Sequence, residues 1–226
     1  MIRNRFVVMS SLLIAMAAIG GPRRAQCELI LLDDFESYAD MASFQAVWGE
    51  PPAGAGNLAP DVGHGGQSMF HPAGAASNIT SKRVFTPTVP TDERALIWEF
   101  DLLDDGEADK NLTGGLRDNG AGASLRSMLD MGRYIRPVDP KEDDDDDEDD
   151  EDEFVSGYAV RTAMIGGDPR LWLAFEGVPP VEAGWHRFTA TILPTRIVYE
   201  LDLQADGTID GVRTIATTLG AGIAYN

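Results

Sequence analysis

Glu99-Phe100-Asp101-Leu102-Leu103-Asp104 is the segment of this sequence best equipped for chemistry. Residues two apart on a strand face the same way, so Glu99 and Asp101 project together, and a β-bulge could bring Asp104 round to join them. Carboxylates about 5 to 5.5 Å apart are what a retaining glycosidase needs, one as nucleophile and one as acid/base. The same alternation supports a plainer reading, in which Leu96, Trp98, Phe100 and Leu102 face a core while Glu99 and Asp101 face water. Trp172 is the second candidate. In Arg170 to Glu176, Leu171, Leu173 and Phe175 share one face and Trp172 takes the other, where an indole offers a stacking platform to the apolar face of a sugar ring. The alternative places Trp172 beneath a loop or in the core of a second sheet.

Other constellations are weaker. Asp202-x-Gln204-x-Asp206-Gly207-x-Ile209-Asp210 imitates the opening of an EF-hand loop, but Arg213 stands where the bidentate carboxylate belongs, and a cation cannot coordinate calcium. An Asp-Gly hairpin turn is the better account. His64, His71 and His186 are scattered, and none has a His or Glu three or four residues after it, as helical metal sites do, so a zinc enzyme is not indicated. No Gly-x-Ser-x-Gly elbow occurs, and the single Cys removes disulfide frameworks and Cys-based zinc sites together.

The elements that must position these residues are strands. From Leu29 onward, apolar residues come in short runs separated by Gly, Pro, Asn and Asp. Strands are expected at Leu29 to Asp33, Gln67 to His71, Ile79 to Phe85, Ala95 to Leu103, Ala123 to Arg133, Phe154 to Ile165, Arg170 to Glu176, Trp185 to Leu193, Arg196 to Leu203 and Gly211 to Thr218. Only Asp40 to Val47 has helical spacing, with Met41, Phe44, Ala46 and Val47 grouped behind an Asp40 cap. Strands without intervening helices argue for an all-β fold, an antiparallel two-sheet β-sandwich or jelly roll with a short helix. No repeat is evident, so residues 28 to 226 read as one domain, with Gly49 to Gly66 an irregular loop.

Composition bounds the partners. The chain of 226 residues carries 18 Lys and Arg against 37 Asp and Glu, a net charge of −19, the wrong sign for neutralising the phosphates of nucleic acid. Twelve of those acids form the unbroken run Glu142 to Glu153. Repulsion and desolvation keep such a run out of any core, so residues 137 to 153 are expected to be a disordered acidic insertion between two strands. It reads either as a solubilising loop or as a weak sponge for calcium.

Met1 to Cys27 has the parts of an export signal: Arg3 and Arg5, the apolar stretch Phe6 to Ile19, and a polar close at Pro22 to Cys27. The stretch of 14 residues is shorter than the 18 expected of a membrane span. Cleavage after Cys27 is the first expectation and after Ala25 the second. A lipid anchor on Cys27 is opposed by Arg24, three residues before it, where a lipobox wants an aliphatic residue. The body is therefore expected to be secreted or at the cell surface, with no membrane span after processing.

Leu31-Leu32-Asp33-Asp34-Phe35-Glu36-Ser37-Tyr38, followed by Phe44-Gln45-Ala46-Val47-Trp48, resembles the opening of concanavalin A-like, LamG-type jelly-roll domains of secreted bacterial proteins. Gly63-His64-Gly65-Gly66-Gln67-Ser68, Phe100-Asp101-Leu102-Leu103-Asp104 and Gly184-Trp185-His186-Arg187-Phe188 resemble later strands of that group. The resemblance implies a lectin-like domain that binds glycans or cell-surface polymers without catalysis. It also implies a structural calcium ion, for which the matching residues are Asp34 and Glu36. Glu99 to Asp104 is similar, in addition, to the Glu-x-Asp-x-x-Glu signature of laminarinase-like glycoside hydrolases, but Asp104 stands where that family has its acid/base Glu. Hydrolysis is therefore the alternative, and a structural or adhesion protein without a small ligand is the third reading.

Overall fold

A computed structural model describes residues 7–9, 14–18, 28–49, 56–71, 83, 85, 88–107, 111–118, 127–137, 154–163, 172–179 and 181–217. The strands, in chain order, are β1 (Val7–Met9), β2 (Ile14–Ala18), β3 (Glu28–Leu31), β4 (Asn57–Ala59), β5 (Ser68–Phe70), β6 (Arg94–Asp104), β7 (Leu112–Asp118), β8 (Ser127–Pro137), β9 (Phe154–Ala163), β10 (Leu173–Ala174), β11 (Gly184–Leu193), β12 (Arg196–Asp202) and β13 (Gly211–Ala216). One helix, α1 (Met41–Trp48), interrupts them. All strand pairings among the described residues are antiparallel. The described residues are thus all-β with one short α-helix.

Two sheets result. The four-stranded sheet runs β10-β9-β8-β7, and the nine-stranded sheet runs β13-β12-β11-β6-β1-β5-β4, with β2 on β6 and β3 on β2. Both sheets feed one cluster of buried side chains. Leu96, Trp98, Phe100 and Leu102 of β6 join Phe188, Ala190 and Ile192 of β11 and Ile197, Tyr199 and Leu201 of β12; Leu129, Met131, Tyr158 and Val160 come from β8 and β9. Alternate residues of each strand supply this face, as the pleat requires. Burying an aromatic or large aliphatic side chain contributes about 1.5–3 kcal/mol, so this cluster is the main source of stability. Phe100 stacks on Phe188 at 5.3 Å between ring centres, fixing β6 against β11.

Helix α1 begins as its sequence demands. The Asp40 carboxylate accepts from Ser43 N (2.8 Å), and Asp40 N donates back to Ser43 Oγ (3.1 Å), a reciprocal cap that holds the Asp40 carboxyl below its ordinary range. The helix ends at Gly49, whose φ of 90° a side chain would resist. Its buried face, Phe44 and Trp48, packs with Phe35, Tyr38 and Met69 in a second, smaller cluster.

Three differences from the sequence reading stand out. Asn57–Ala59 is a strand inside the stretch expected to be irregular, and Leu112–Asp118 is a strand despite Gly114 and Gly115. Val7–Met9 and Ile14–Ala18, within the segment read as an export signal, pair with β6, an apolar run meeting an open sheet edge. The acidic run Glu142 to Glu153 and the strand expected at Ile79 to Phe85, apart from Arg83 and Phe85, lie outside the described residues. Among the described residues, no helix is long and apolar enough to cross a membrane.

Candidate functional site

The three carboxylates of β6 do not meet. Register with β11 is unbroken from Leu96↔Ile192 to Asp104↔Gly184, so no bulge turns the strand. Glu99 and Asp101 face outward, while Asp104, an odd number of residues from both, projects from the inward side. Asp101 is 2% exposed and is held by a two-pronged contact with Arg187, Nε to Oδ1 at 2.8 Å and Nη2 to Oδ2 at 3.0 Å. That guanidinium is raised above its usual range chiefly by its bond to Asp101. Glu99 accepts from Thr189 Oγ1 at 3.3 Å and lies 3.7 Å from Arg187 Nε. Burial pushes its carboxyl up, against the pull of Arg187. His64 stacks on Trp185 with its Nδ1 3.6 Å from Asp101.

Asp104 serves the interior instead. Tyr158 Oη of β9 donates to its Oδ2 (3.0 Å), lies 2.9 Å from His186 Nε2, and accepts from Glu182 N at 3.1 Å. Gln204 N donates to His186 Nδ1 at 3.2 Å, which fixes the proton of that imidazole on Nε2, 2.7 Å from the Glu182 carbonyl. His186 is fully buried and Arg133, beside Asp104, is 1% exposed. Burial raises the Tyr158 hydroxyl far above its ordinary value, with Asp104 adding to the shift. This network joins the two sheets by polar contacts in an otherwise apolar core.

The segment whose Asp34 and Glu36 the resemblance matches to calcium packs around their neighbour Asp33. Asp33, one residue earlier, is 3% exposed and receives Phe35 N (2.9 Å), Trp48 Nε1 (3.0 Å), Tyr38 Oη and Arg83 Nη1. Burial and then Asp33 push the Tyr38 hydroxyl up to about 12. Asp34 accepts from Glu36 N at 3.1 Å, and Glu36 accepts from Gln67 N, so both carboxylates are engaged by backbone. Among the described residues, no three His, Cys, Asp or Glu side chains gather as a metal site. One oxygen of each, Asp34 Oδ1 and Glu36 Oε1, takes the backbone donor. The Asp202 to Asp210 segment is a turn: Asp202 accepts from Asp206 N and Gly207 N, Asp206 from Thr208 N, and Asp210 from Leu203 N. Its carboxylates satisfy backbone donors of the β12–β13 connection.

Trp172 stands where alternation puts it. Leu173 and Phe175 pack on the core, and Trp172, half-buried, lies on the outer side of the four-stranded sheet. Tyr134 of β8 stacks on it at 3.9 Å and 17°, and the Arg161 guanidinium of β9 lies 4.7 Å over its ring. Arg161 donates from Nε (3.2 Å) and Nη2 (2.7 Å) to Asp130 Oδ2 of β8, directly across the strand pair. Asp130 is 6% exposed, and burial lifts its carboxyl even though Arg161 opposes the shift. The floor is made of small residues: Gly115 faces Asp130, and Thr113, Gly132, Ala159 and Ala174 fill the next row. A Cβ on Gly115 would come within 2.1 Å of Asp130 Oδ1, so glycine is required there.

Tyr134, Asp130 and Arg161 were not singled out from the sequence. They lie far from Trp172 along the chain and are gathered only by cross-strand register; their odd-even phase relative to the core residues was the available signal. The result is a face with two stacked rings, a guanidinium and a half-satisfied carboxylate, the groups that recognise sugar rings and hydroxyls. No protein-family model matches the chain, and neither the curated proteins nor the solved structures yield a match.

Proposed function

We propose that the protein is an exported, non-catalytic, lectin-like β-sandwich of the concanavalin A-like jelly-roll kind, which binds glycans or cell-surface polymers through the Trp172 face. Residues 1–27 act as its export signal. The observation that carries this reading is the outward Trp172 with Tyr134 against it and the Arg161–Asp130 pair beside it. A pyranose ring stacks on aromatic surface, and the carboxylate–guanidinium pair offers acceptor and donor to neighbouring hydroxyls. The body's net negative charge speaks against nucleic acid as the ligand.

A glycan array probed with the full chain and with Trp172→Ala tests the proposal. Binding to a defined set of glycans that falls at least about tenfold in the variant supports it. Absence of binding on every glycan, with folding shown intact, sinks it. Hydrolysis of the laminarinase-like kind would have to proceed without Asp104, which is bonded to Tyr158. Release of reducing sugar from β-glucan, abolished in Glu99→Gln, would revive that alternative.

A further inference from the structure

The connection between β12 and β13 is strained. Gln204 and Ala205 take left-handed backbone angles, φ 64° and 49°, which residues with a Cβ resist. Hydrogen bonds from Gln204 tie this turn, Leu203–Ala205, to the chain entering β11. Its side-chain Nε2 donates to Glu182 Oε1 (2.7 Å) and to the Ala183 carbonyl (3.0 Å), and its backbone N donates to His186 Nδ1 (3.2 Å). Gly184 lets the two segments close up, since a Cβ there would strike the Gln204 side-chain amide. Gln204 is exposed and His186 is fully buried, so the backbone bond reaches from the surface into the interior.

We propose that His186 is an acid-released latch: as the neutral imidazole it holds the Leu203–Ala205 turn against the start of β11, and a proton on its Nδ1 lets the turn open. The Nδ1 lone pair accepts from Gln204 N, and Nε2 keeps its hydrogen for the Glu182 carbonyl at 2.7 Å. A second hydrogen therefore sets N–H against N–H, and the attraction becomes a repulsion. The surroundings do not take up the added charge. Tyr158 Oη of β9 lies 2.9 Å from Nε2, Asp104 of β6 accepts from that hydroxyl, and Arg133 of β8, with Nε 3.6 Å from Asp104 Oδ2, already opposes the aspartate's charge. The Glu182 carboxylate is turned to Gln204 Nε2. On the turn itself, Asp202 accepts from Asp206 N and Gly207 N, Asp206 from Thr208 N and Asp210 from Leu203 N. An imidazolium is solvated only when the turn moves away, and the angles of Gln204 and Ala205 relax in the same motion. Imidazole is the side chain that changes charge between about pH 7 and 5, whereas carboxylic acids in general take up protons lower.

Nuclear magnetic resonance of the nitrogen-15-labelled full chain, taken from about pH 7 to about pH 5, tests the latch. At the neutral end the His186 imidazole should show the Nε2–H tautomer. As it takes up its second proton, the backbone signals of Leu203, Gln204 and Ala205 should move to those of an open turn, while those of Phe154–Ala163 in β9 stay in place. Opening coupled to one proton raises the open population by at most about tenfold for each pH unit. In His186→Asn the amide oxygen can still accept from Gln204 N but takes up no proton, so the pH dependence over this range should vanish. A turn that stays closed in the wild type down to about pH 5 overturns the proposal, and so does equal opening in His186→Asn, which would assign it to another group. If His186→Asn does not fold, the wild type decides: one shared midpoint for imidazole protonation and turn movement supports the latch, and two separate midpoints overturn it.

Discussion

Each sheet carries one aspartate–arginine pair on its outer face, and the two pairs are built differently. On the nine-stranded sheet, Asp101 meets Arg187 with both oxygens, and the contact raises the guanidinium. On the four-stranded sheet, Asp130 gives Arg161 one oxygen, and burial lifts the carboxyl in spite of its partner. The first pair is a clamp between β6 and β11. The second carries a desolvation cost that Arg161 does not fully offset, beside the stacked rings of Tyr134 and Trp172, with the Arg161 guanidinium itself over the indole. Burial lifts Glu99 beside Arg187 in the same way, so the two faces differ in how the aspartate is held, by both oxygens on one and by a single oxygen on the other.

The contrast can be broken by mutation. Asp101→Asn should have the largest effect on folding: with Arg187 part-exposed, the loss is about 2–3 kcal/mol, read as a lower midpoint in urea. Gly115→Ala should follow. Its Cβ would strike Asp130 Oδ1 and come within 2.8 Å of the Leu129 carbonyl, costing about 1–2 kcal/mol and weakening glycan binding as well. Trp172→Ala should lose about tenfold in glycan affinity, or about 1.4 kcal/mol, while its urea midpoint moves less than that of Asp101→Asn.

The smallest effect is the most diagnostic. Because Asp130 binds its proton more tightly in the folded chain than in the unfolded one, its contribution is most favourable below the unfolded value of 3.8 and declines as pH rises toward the raised folded value. The stability difference between wild type and Asp130→Asn should therefore shift against the wild type as pH is raised from acid toward neutral. A difference that moves the other way would show that Arg161 more than offsets the burial, and the two pairs would then be alike.

Much of this architecture is legible in the sequence, for reasons that differ by element. Arg196–Asp202 alternates oily and charged residues, and the structure buries Ile197, Tyr199 and Leu201. The α1 start is written in Asp40 and Ser43. Leu112–Asp118 was missed because its glycines mimic a loop. In the fold they permit close approach instead: a Cβ on Gly114 would lie 2.9 Å from the Phe100 ring. The bulge that would bring Asp104 beside Glu99 and Asp101 is absent, because the strand register admits none. Trp172 was legible by parity. Its companions were not, since no local pattern announces which residue of β8 will lie beside which residue of β9.

Whether ligand meets the four-stranded face at Trp172 can be read from the indole N–H resonances. The chain has four tryptophans, so four side-chain signals can be followed as glycan is added. With ligand on that face, the Trp172 signal shifts and saturates while those of Trp48, Trp98 and Trp185 stay in place. A shift of Trp185 with Trp172 unmoved would contradict it and would place the ligand on the opposite sheet, beside Arg187.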